Sequence, residues 1–212
     1  MSLWIKICGL TTADAVAAAV DAGADAIGFV FAPSRRRVTA EQARTLSANV
    51  PRHILRVAVM QHPQQALLDE VFATFAPDVL QTDAEDLASL SVPQQVSVTP
   101  VVRAGHAVSN PLPARLLFEG PVSGTGEIAD WNRAAELASA TQLILAGGLN
   151  VANVAEAIAR VRPYGVDVSS GVERAPGVKD VQMIREFVRV ARAVTLAPTP
   201  TLPRCAGEGA GR

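Results

Sequence analysis

The chain lacks a surplus of basic charge and any long apolar run. Its 212 residues include 19 lysines and arginines against 20 aspartates and glutamates, which gives a formal net charge of -1. Nucleic-acid and anionic-membrane partners favour a basic surface, so we expect neither as a partner. No uninterrupted stretch of about 18 apolar residues occurs, so we expect no transmembrane helix.

Cysteine is also scarce, since Cys8 and Cys205 are the only two. Cys205 lies in a segment rich in proline and glycine, which is a poor anchor for a structural disulfide. The N-terminal residues show no basic region followed by an apolar one, so we expect no signal peptide. Together these features predict a reducing compartment, the cytoplasm.

The dominant pattern is a short apolar strand followed by an alanine-rich helical stretch, repeated eight times. The predicted strands are residues 3–8, 26–31, 56–60, 78–81, 97–103, 114–119, 142–146 and 165–168. The predicted helices are residues 12–22, 40–48, 63–75, 85–90, 130–139, 151–160 and 181–193. The eighth, after the fifth strand, is a poor candidate, because residues 106–113 contain Pro111 and Pro113.

This alternation predicts an α/β fold, and eight units favour a closed (β/α)8 TIM barrel over a doubly wound sheet. We expect one barrel domain over residues 1–194. Residues 195–212 are rich in proline, glycine and alanine, and we expect a disordered tail there.

Two glycine-containing turns point to a phosphorylated ligand. Gly147 and Gly148 follow the seventh predicted strand, and Ser169, Ser170 and Gly171 follow the eighth. The loops after these strands commonly bind phosphate in TIM barrels, where small residues let backbone N–H groups approach the ligand. Either Gly147 or Gly148 alone could be an ordinary turn glycine. Both turns together predict a small-molecule substrate that carries a phosphate.

Cys8 ends the first predicted strand, where barrel active sites lie. Strand alternation places Lys6 and Cys8 on one face and Ile5 and Ile7 on the other, so we expect Lys6 and Cys8 to point into the barrel. A buried cysteine can be a mere small hydrophobe. A nearby ammonium, however, would favour the thiolate and fit Cys8 for general-base catalysis.

Glu119 ends the sixth predicted strand after an apolar run. It could be a helix-capping or salt-bridged residue, or a catalytic acid that partial burial keeps protonated. Gln81 and Asp167 are further polar residues at strand ends, and we count them with Lys6 as candidates for substrate binding.

Several segments resemble the signatures of phosphoribosylanthranilate isomerases, in the same order along residues 3 to 193. The matching segments are Lys6-Ile-Cys-Gly-Leu-Thr, Gly23-Ala-Asp-Ala-Ile-Gly-Phe-Val-Phe, Ser34-Arg-Arg-Arg-Val-Thr, Gly124-Thr-Gly with Asp130-Trp131, Leu145-Ala-Gly-Gly-Leu-Asn, Gly165-Val-Asp-Val-Ser-Ser-Gly-Val-Glu and Pro176-Gly-Val-Lys-Asp. The Cys-Gly pair is the most discriminating, because related phosphate-binding barrels usually carry a carboxylate at that place.

The resemblance implies an Amadori rearrangement of N-(5-phosphoribosyl)anthranilate to 1-(2-carboxyphenylamino)-1-deoxyribulose 5-phosphate, in tryptophan biosynthesis and without a metal or organic cofactor. It implies that Cys8 is the general base and that Arg36 holds the anthranilate part, whose carboxylate suits an arginine fork. The phosphate would bind at the two glycine-containing turns. Relatives include monomers and dimers, so we expect a monomer or a homodimer.

The chain departs from the family pattern at three places. Glu119 stands where the family has an aspartate as general acid, and the longer side chain must be accommodated. Ser123 replaces a glycine before Thr-Gly, and Gln81-Thr82-Asp83-Ala84 replaces Gln-Leu-His-Gly. We therefore expect Glu119 to be the acid only if its longer side chain reaches the site.

Two other functions are compatible with the fold. One is another phosphosugar isomerase or epimerase, although a metal-dependent epimerase would place histidines at strand ends. The three histidines, His53, His62 and His106, are instead expected on the surface. The other is a non-catalytic barrel that binds phosphorylated ligands. Evidence against it is the presence of Cys8, Arg36 and both phosphate turns.

Overall fold

The computed structural model describes residues 3–106, 108–109, 111–121 and 128–194. The expectations for Ser123, for the Gly124-Thr-Gly segment, for Cys205 and for the tail at 195–212 lie outside these residues.

Eight parallel strands close into a barrel in chain order, with β1 hydrogen-bonded to both β2 and β8. The strands are β1 (Trp4–Cys8), β2 (Ala26–Val30), β3 (Leu55–Val59), β4 (Val79–Asp83), β5 (Ser97–Arg103), β6 (Arg115–Glu119), β7 (Gln142–Leu145) and β8 (Gly165–Val168). The prediction of a closed TIM barrel is confirmed. Closure brings the C-terminal ends of all eight strands to one end of the molecule.

Helices follow most of the strands on the outside. They are α1 (Ala13–Asp21), α2 (Ala40–Leu46), α3 (Gln65–Thr74), α4 (Trp131–Ala138), α5 (Val154–Val161) and α6 (Val181–Ala193), and a 3-10 helix (Ala84–Ser89) joins β4 to β5. Predicted and observed element bounds differ by no more than three residues. The described part of the β5–β6 connection contains no helix, as its prolines predict.

Local side-chain bonds explain where the helices begin. Thr12 and Thr39 cap α1 and α2, and Thr39 forms a reciprocal capping box with Gln42. The start of α5 falls three residues later than predicted, because the Asn150 side chain accepts bonds from the N–H groups of Ala152 and Asn153 and holds them in a turn.

Strand alternation divides the core into two parts. Residues such as Ile5 and Ile7 face the helices in the main hydrophobic cluster. Two small apolar clusters fill much of the barrel interior: Ala26, Val57 and Val79, and Val101, Leu117, Ile144 and Ala146, with Trp4 packed against both. Buried polar residues stand near the C-terminal ends of the strands, as Gln81 and Asp83 on β4 and Asp167 on β8 do.

The segment after β8 contains structure that the sequence pattern did not predict. A 3-10 helix (Ser170–Val172) leads into a small antiparallel hairpin of β9 (Glu173–Ala175) and β10 (Val178–Lys179), closed by Gly177 at φ 83°. This hairpin brings Glu173 and Lys179 beside the strand ends. Among the helices that the structure describes, none is long and apolar enough to cross a membrane.

Candidate active site

Lys6 and Cys8 both point into the barrel, as strand alternation predicted. Lys6 is 1% exposed, and its Nζ donates to Asp167 Oδ1 on β8 at 3.0 Å and to Gln81 Oε1 on β4 at 2.9 Å. Burial lowers the pKa of Lys6, but the negative charge of Asp167 and the nearby Cys8 outweigh it and leave that pKa raised. Lys6 is therefore a charged group that ties β1, β4 and β8 together beneath the strand ends.

The pKa of the Cys8 thiol is raised above its ordinary value. Burial is the largest cause, Lys6 and Lys179 pull the pKa down, and Asp167 pushes it up. Lys6 thus favours the thiolate, as expected, while burial of the thiol is the stronger effect and leaves the pKa raised.

Gly28 on β2 makes the room that Lys6 and Cys8 occupy. It pairs in register with Cys8, and a Cβ on Gly28 would lie 2.8 Å from Lys6 Cε and 3.1 Å from Cys8 Sγ. Sequence reasoning missed this residue. The available signal was a glycine inside a strand, which often marks a close approach.

A cavity of about 460 Å³ opens at the C-terminal strand ends, and nine of the predicted site residues line it. They are Cys8, Arg36, Gln81, Glu119, Gly147, Gly148, Asp167, Ser169 and Ser170. Lys6 lies beneath the cavity and reaches it through Gln81 and Asp167. This volume suits a small-molecule ligand.

The two phosphate-loop candidates pack against each other at the cavity wall. Gly147 and Gly148 have φ of 83° and 67°, conformations that glycine adopts without strain. A Cβ on Gly171 would lie only 1.8 Å from Leu149 O, so Gly171 lets the loop after β8 approach the loop after β7. The Asn153 side chain fixes the latter loop by donating to Gly148 O at 2.9 Å.

Arg36 reaches the cavity from the loop after β2 and is oriented by Glu173. Arg36 Nε and Nη2 donate to the Glu173 carboxylate at 2.7 and 2.9 Å. Lys179 Nζ donates to Glu173 Oε1 at 2.8 Å and to Ser169 O at 2.8 Å, and the Gly177 N–H donates to Glu173 Oε2 at 3.0 Å. The β9–β10 hairpin thereby connects Arg36 to the loop that carries Ser169.

These bonds set the charges of the hairpin residues. Burial raises the pKa of Glu173, but bonds from Arg36, Lys179 and Gly177 outweigh it and lower that pKa to about 2. Burial lowers the pKa of Lys179, with Glu173 opposing it. Sequence reasoning assigned no role to Glu173 or Lys179, although both stand in the segments that carry the family resemblance.

Glu119 lines the cavity and is also salt-bridged, which is one of the alternatives left open by the sequence. Its Oε1 lies 3.2 Å from Arg103 Nε, and the two residues pair in register at the ends of β6 and β5. Arg103 Nη1 also forms an ion pair with the buried Asp83 at the end of β4. Asp130, from the segment that carries the family resemblance, caps α4 by accepting bonds from the N–H groups of Asn132 and Arg133.

His62, Asp83 and Asp86 are the group of possible metal ligands found within the described residues. His62 Nδ1 lies 2.8 Å from Asp86 Oδ1, and Asp86 Oδ2 accepts from the His62 N–H and from Thr82 Oγ1. The bond to Asp86 raises the pKa of His62. His62 is exposed, as expected, and so are His53 and His106.

Comparison with known proteins gives one consistent result. A family model for N-(5'phosphoribosyl)anthranilate (PRA) isomerase matches residues 5–190. The N-(5'-phosphoribosyl)anthranilate isomerase of Streptococcus pneumoniae serotype 19F (strain G54) is 42% identical over 187 residues, which cover 87% of this chain and 93% of that protein.

Two solved structures have the same fold and about a third of their residues in common with this chain. TrpF from Jonesia denitrificans is 37% identical with a TM-score of 0.76, covering 91% of this chain and 98% of its own. A phosphoribosyl anthranilate isomerase in complex with reduced 1-(o-carboxyphenylamino)-1-deoxyribulose 5-phosphate is 31% identical with a TM-score of 0.72, covering 89% and 98%.

Proposed function

Because this chain belongs to the N-(5'-phosphoribosyl)anthranilate isomerase family, we propose that Cys8 is its general base and Glu119 its general acid. The enzyme isomerises N-(5'-phosphoribosyl)anthranilate in tryptophan biosynthesis. The alternatives of another phosphosugar enzyme and of a non-catalytic barrel give way to this function.

The observation that carries the assignment of roles is the shared cavity. The Cys8 thiol and the Glu119 carboxylate enter it from β1 and β6, and the loops carrying Gly148 and Ser169 form part of the same wall. A phosphorylated sugar bound by those loops would place its ring between a proton donor and a proton acceptor. That arrangement suits an isomerisation that moves protons and needs no other group.

The reaction divides into two proton transfers. Glu119 protonates the ribose ring oxygen, and the ring opens to an iminium. Cys8, as the thiolate, then removes the proton at C2′, and the resulting enolamine tautomerises to the ketone. The positive iminium makes the C2′ proton more acidic, and the charged Lys6 beside Cys8 favours the thiolate that takes it.

We propose that the substrate's two anionic ends bind on different walls. Arg36 Nη1 is not part of the bidentate pair with Glu173 and suits the anthranilate carboxylate. Backbone groups around Gly147, Gly148, Ser169 and Ser170 suit the phosphate, and Gly171 supports them by packing against Leu149. Gln81 and Asp167 line the cavity floor between these walls, held by Lys6.

Turnover of substrate, followed by the loss of its fluorescence, tests these roles. We expect Cys8→Ser and Glu119→Gln each to lower kcat by a factor of about 10² to 10⁴, the usual contribution of a general base or acid. Matched controls are Cys205→Ser, at the other cysteine, and Glu136→Gln, at an exposed glutamate paired with Arg133 on α4. If Glu119→Gln turns over like its control, the acid is a different group.

We further propose a cytoplasmic location and a monomeric or homodimeric state. The first is supported by the scarcity of cysteine, and cell fractionation would check it. The second follows from the range of states in relatives, and light scattering of the purified protein would distinguish the two.

A further inference from the structure

Three charged residues stand side by side at the ends of β4, β5 and β6. Asp83 ends β4, Arg103 ends β5 and Glu119 ends β6, and these strands are neighbours in the barrel. Arg103 Nη1 pairs with Asp83 Oδ1, and Arg103 Nε lies 3.2 Å from Glu119 Oε1. One guanidinium therefore serves two carboxylates, and Glu119 is the one that lines the cavity.

Sharing a cation between two carboxylates changes how firmly each holds a proton. An arginine opposite a single carboxylate favours its ionised form, whereas a second carboxylate nearby favours the protonated form of the first. The Asp83 side chain is 3% exposed and has His62 Nε2 at 3.7 Å as a further possible cation. Asp83 is the more buried of the two carboxylates that contact Arg103, and its negative charge opposes the positive charge that Arg103 presents to Glu119.

We infer that Asp83 is a positioning residue for the isomerisation, which engages Arg103 and so lets Glu119 keep the proton that it donates. The inference rests on the proposed role of Glu119 as general acid. It also gives two departures from the family pattern a common reason, because the unusual glutamate at the end of β6 and the unusual aspartate at the end of β4 meet on the same arginine.

Other charged groups face the same cavity and have to be held constant in a test. Arg36 from the loop after β2, Cys8 from β1 and Asp167 from β8 line it, and Lys6 lies beneath Asp167. Behind Asp83, Asp86 from the 3-10 helix pairs with His62. Replacing Asp83 or Arg103 leaves the side chains that line the cavity in place, whereas His62 lies 3.7 Å from Asp83, so the His62–Asp86 pair needs a control of its own.

The direct measurement is a carbon-13 NMR titration of the glutamate side-chain carboxyls, with the Glu119 signal assigned by its loss in Glu119→Gln. In Asp83→Asn the competing charge is gone, and we expect the titration midpoint of Glu119 to fall by about one pH unit. In Arg103→Gln we expect it to rise. Asp86→Asn, which removes an equal charge that pairs with His62 instead of Arg103, should leave it unchanged.

Turnover supplies the second measurement. At neutral pH we expect Asp83→Asn to lower kcat about tenfold with little change in KM, since about one pH unit in the acid is a factor of ten in its protonated fraction. Asp83→Glu keeps the charge and should recover most of kcat, which a packing role alone would not explain.

The two hypotheses fail in different ways. An unchanged Glu119 midpoint in Asp83→Asn, or shifts of the same sign in Asp83→Asn and Arg103→Gln, overturns the inference whatever the activities are. A Glu119 midpoint that falls or stays unchanged in Arg103→Gln also overturns the inference, and this test remains if Asp83→Asn does not fold. Full activity of Glu119→Gln overturns the proposed acid, while the NMR result still measures the coupling.

Discussion

Replacing Glu173 with glutamine removes the charge that joins Arg36 to the β9–β10 hairpin, with almost no change of shape. Glu173 accepts both donors of the Arg36 fork, one bond from Lys179 and one from the Gly177 N–H. Its pKa falls from 4.5 to about 2 in the folded protein. That lowering corresponds to at most about 3 kcal/mol at neutral pH, and screening by solvent at the cavity edge reduces it to about 2 kcal/mol.

The pH dependence follows from the direction of that pKa change. A carboxyl whose folded pKa is lowered contributes stability that is complete above the unfolded pKa of 4.5 and is lost as pH falls through about 2. We therefore expect Glu173→Gln to lower the free energy of unfolding by about 2 kcal/mol at pH 7, with the gap to wild type narrowing below about pH 4.5.

Urea unfolding of both proteins between about pH 7 and pH 3 makes the measurement, in the range where the gap should begin to close. Glu186→Gln is the matched control, because Glu186 makes a similar pair with Arg189 on the exposed face of α6. Equal stability of Glu173→Gln and wild type at pH 7, or a gap that stays constant as the pH falls, would refute the reasoning.

Two further substitutions compare the effects on stability and on kcat of changes at the two ends of the barrel. Gly28→Ala puts a methyl group 2.8 Å from Lys6 Cε, so we expect a loss of about 1–3 kcal/mol in the free energy of unfolding, measured with urea. We also expect kcat to be at least about tenfold lower. A kcat equal to that of wild type would contradict the role given to Gly28. Trp4→Ala removes the indole that stacks on Tyr164, with ring centroids 6.4 Å apart, at the opposite end of the barrel. We expect the free energy of unfolding to fall by about 2–3 kcal/mol and kcat to stay within about twofold of wild type. A large fall in kcat of the folded variant would contradict the view that this end contributes to stability and not to catalysis.

Local patterns predicted the fold because the barrel is built from local units. Each strand is a short apolar run, and four of the helices begin at a side-chain cap such as Thr12 or Thr39, and these signals act within a few residues. The inward direction of Lys6 and Cys8 also follows from alternation along one strand. The cavity lining at Cys8, Glu119, Gly148 and Ser169 followed from the general location of barrel active sites.

The parts that escaped prediction depend on distant pairings. The use of Gly28 is set by its register opposite Cys8, and Arg36 is separated from Glu173 by 137 residues. The strands that carry Glu173 and Lys179 are only three and two residues long, too short for a periodic pattern. The raised pKa of Cys8 depends on how deeply the whole barrel buries it, which alternation within β1 does not reveal.

The central claim, that Glu119 opens the sugar ring and Cys8 removes the proton at C2′, is tested most directly with substrate deuterated at C2′. In Cys8→Ser the weaker base makes proton removal the slowest step, so we expect a large deuterium isotope effect on the single-turnover rate. In Glu119→Gln ring opening becomes slowest, so the isotope effect should be close to absent. A large effect in Glu119→Gln together with none in Cys8→Ser would contradict the account.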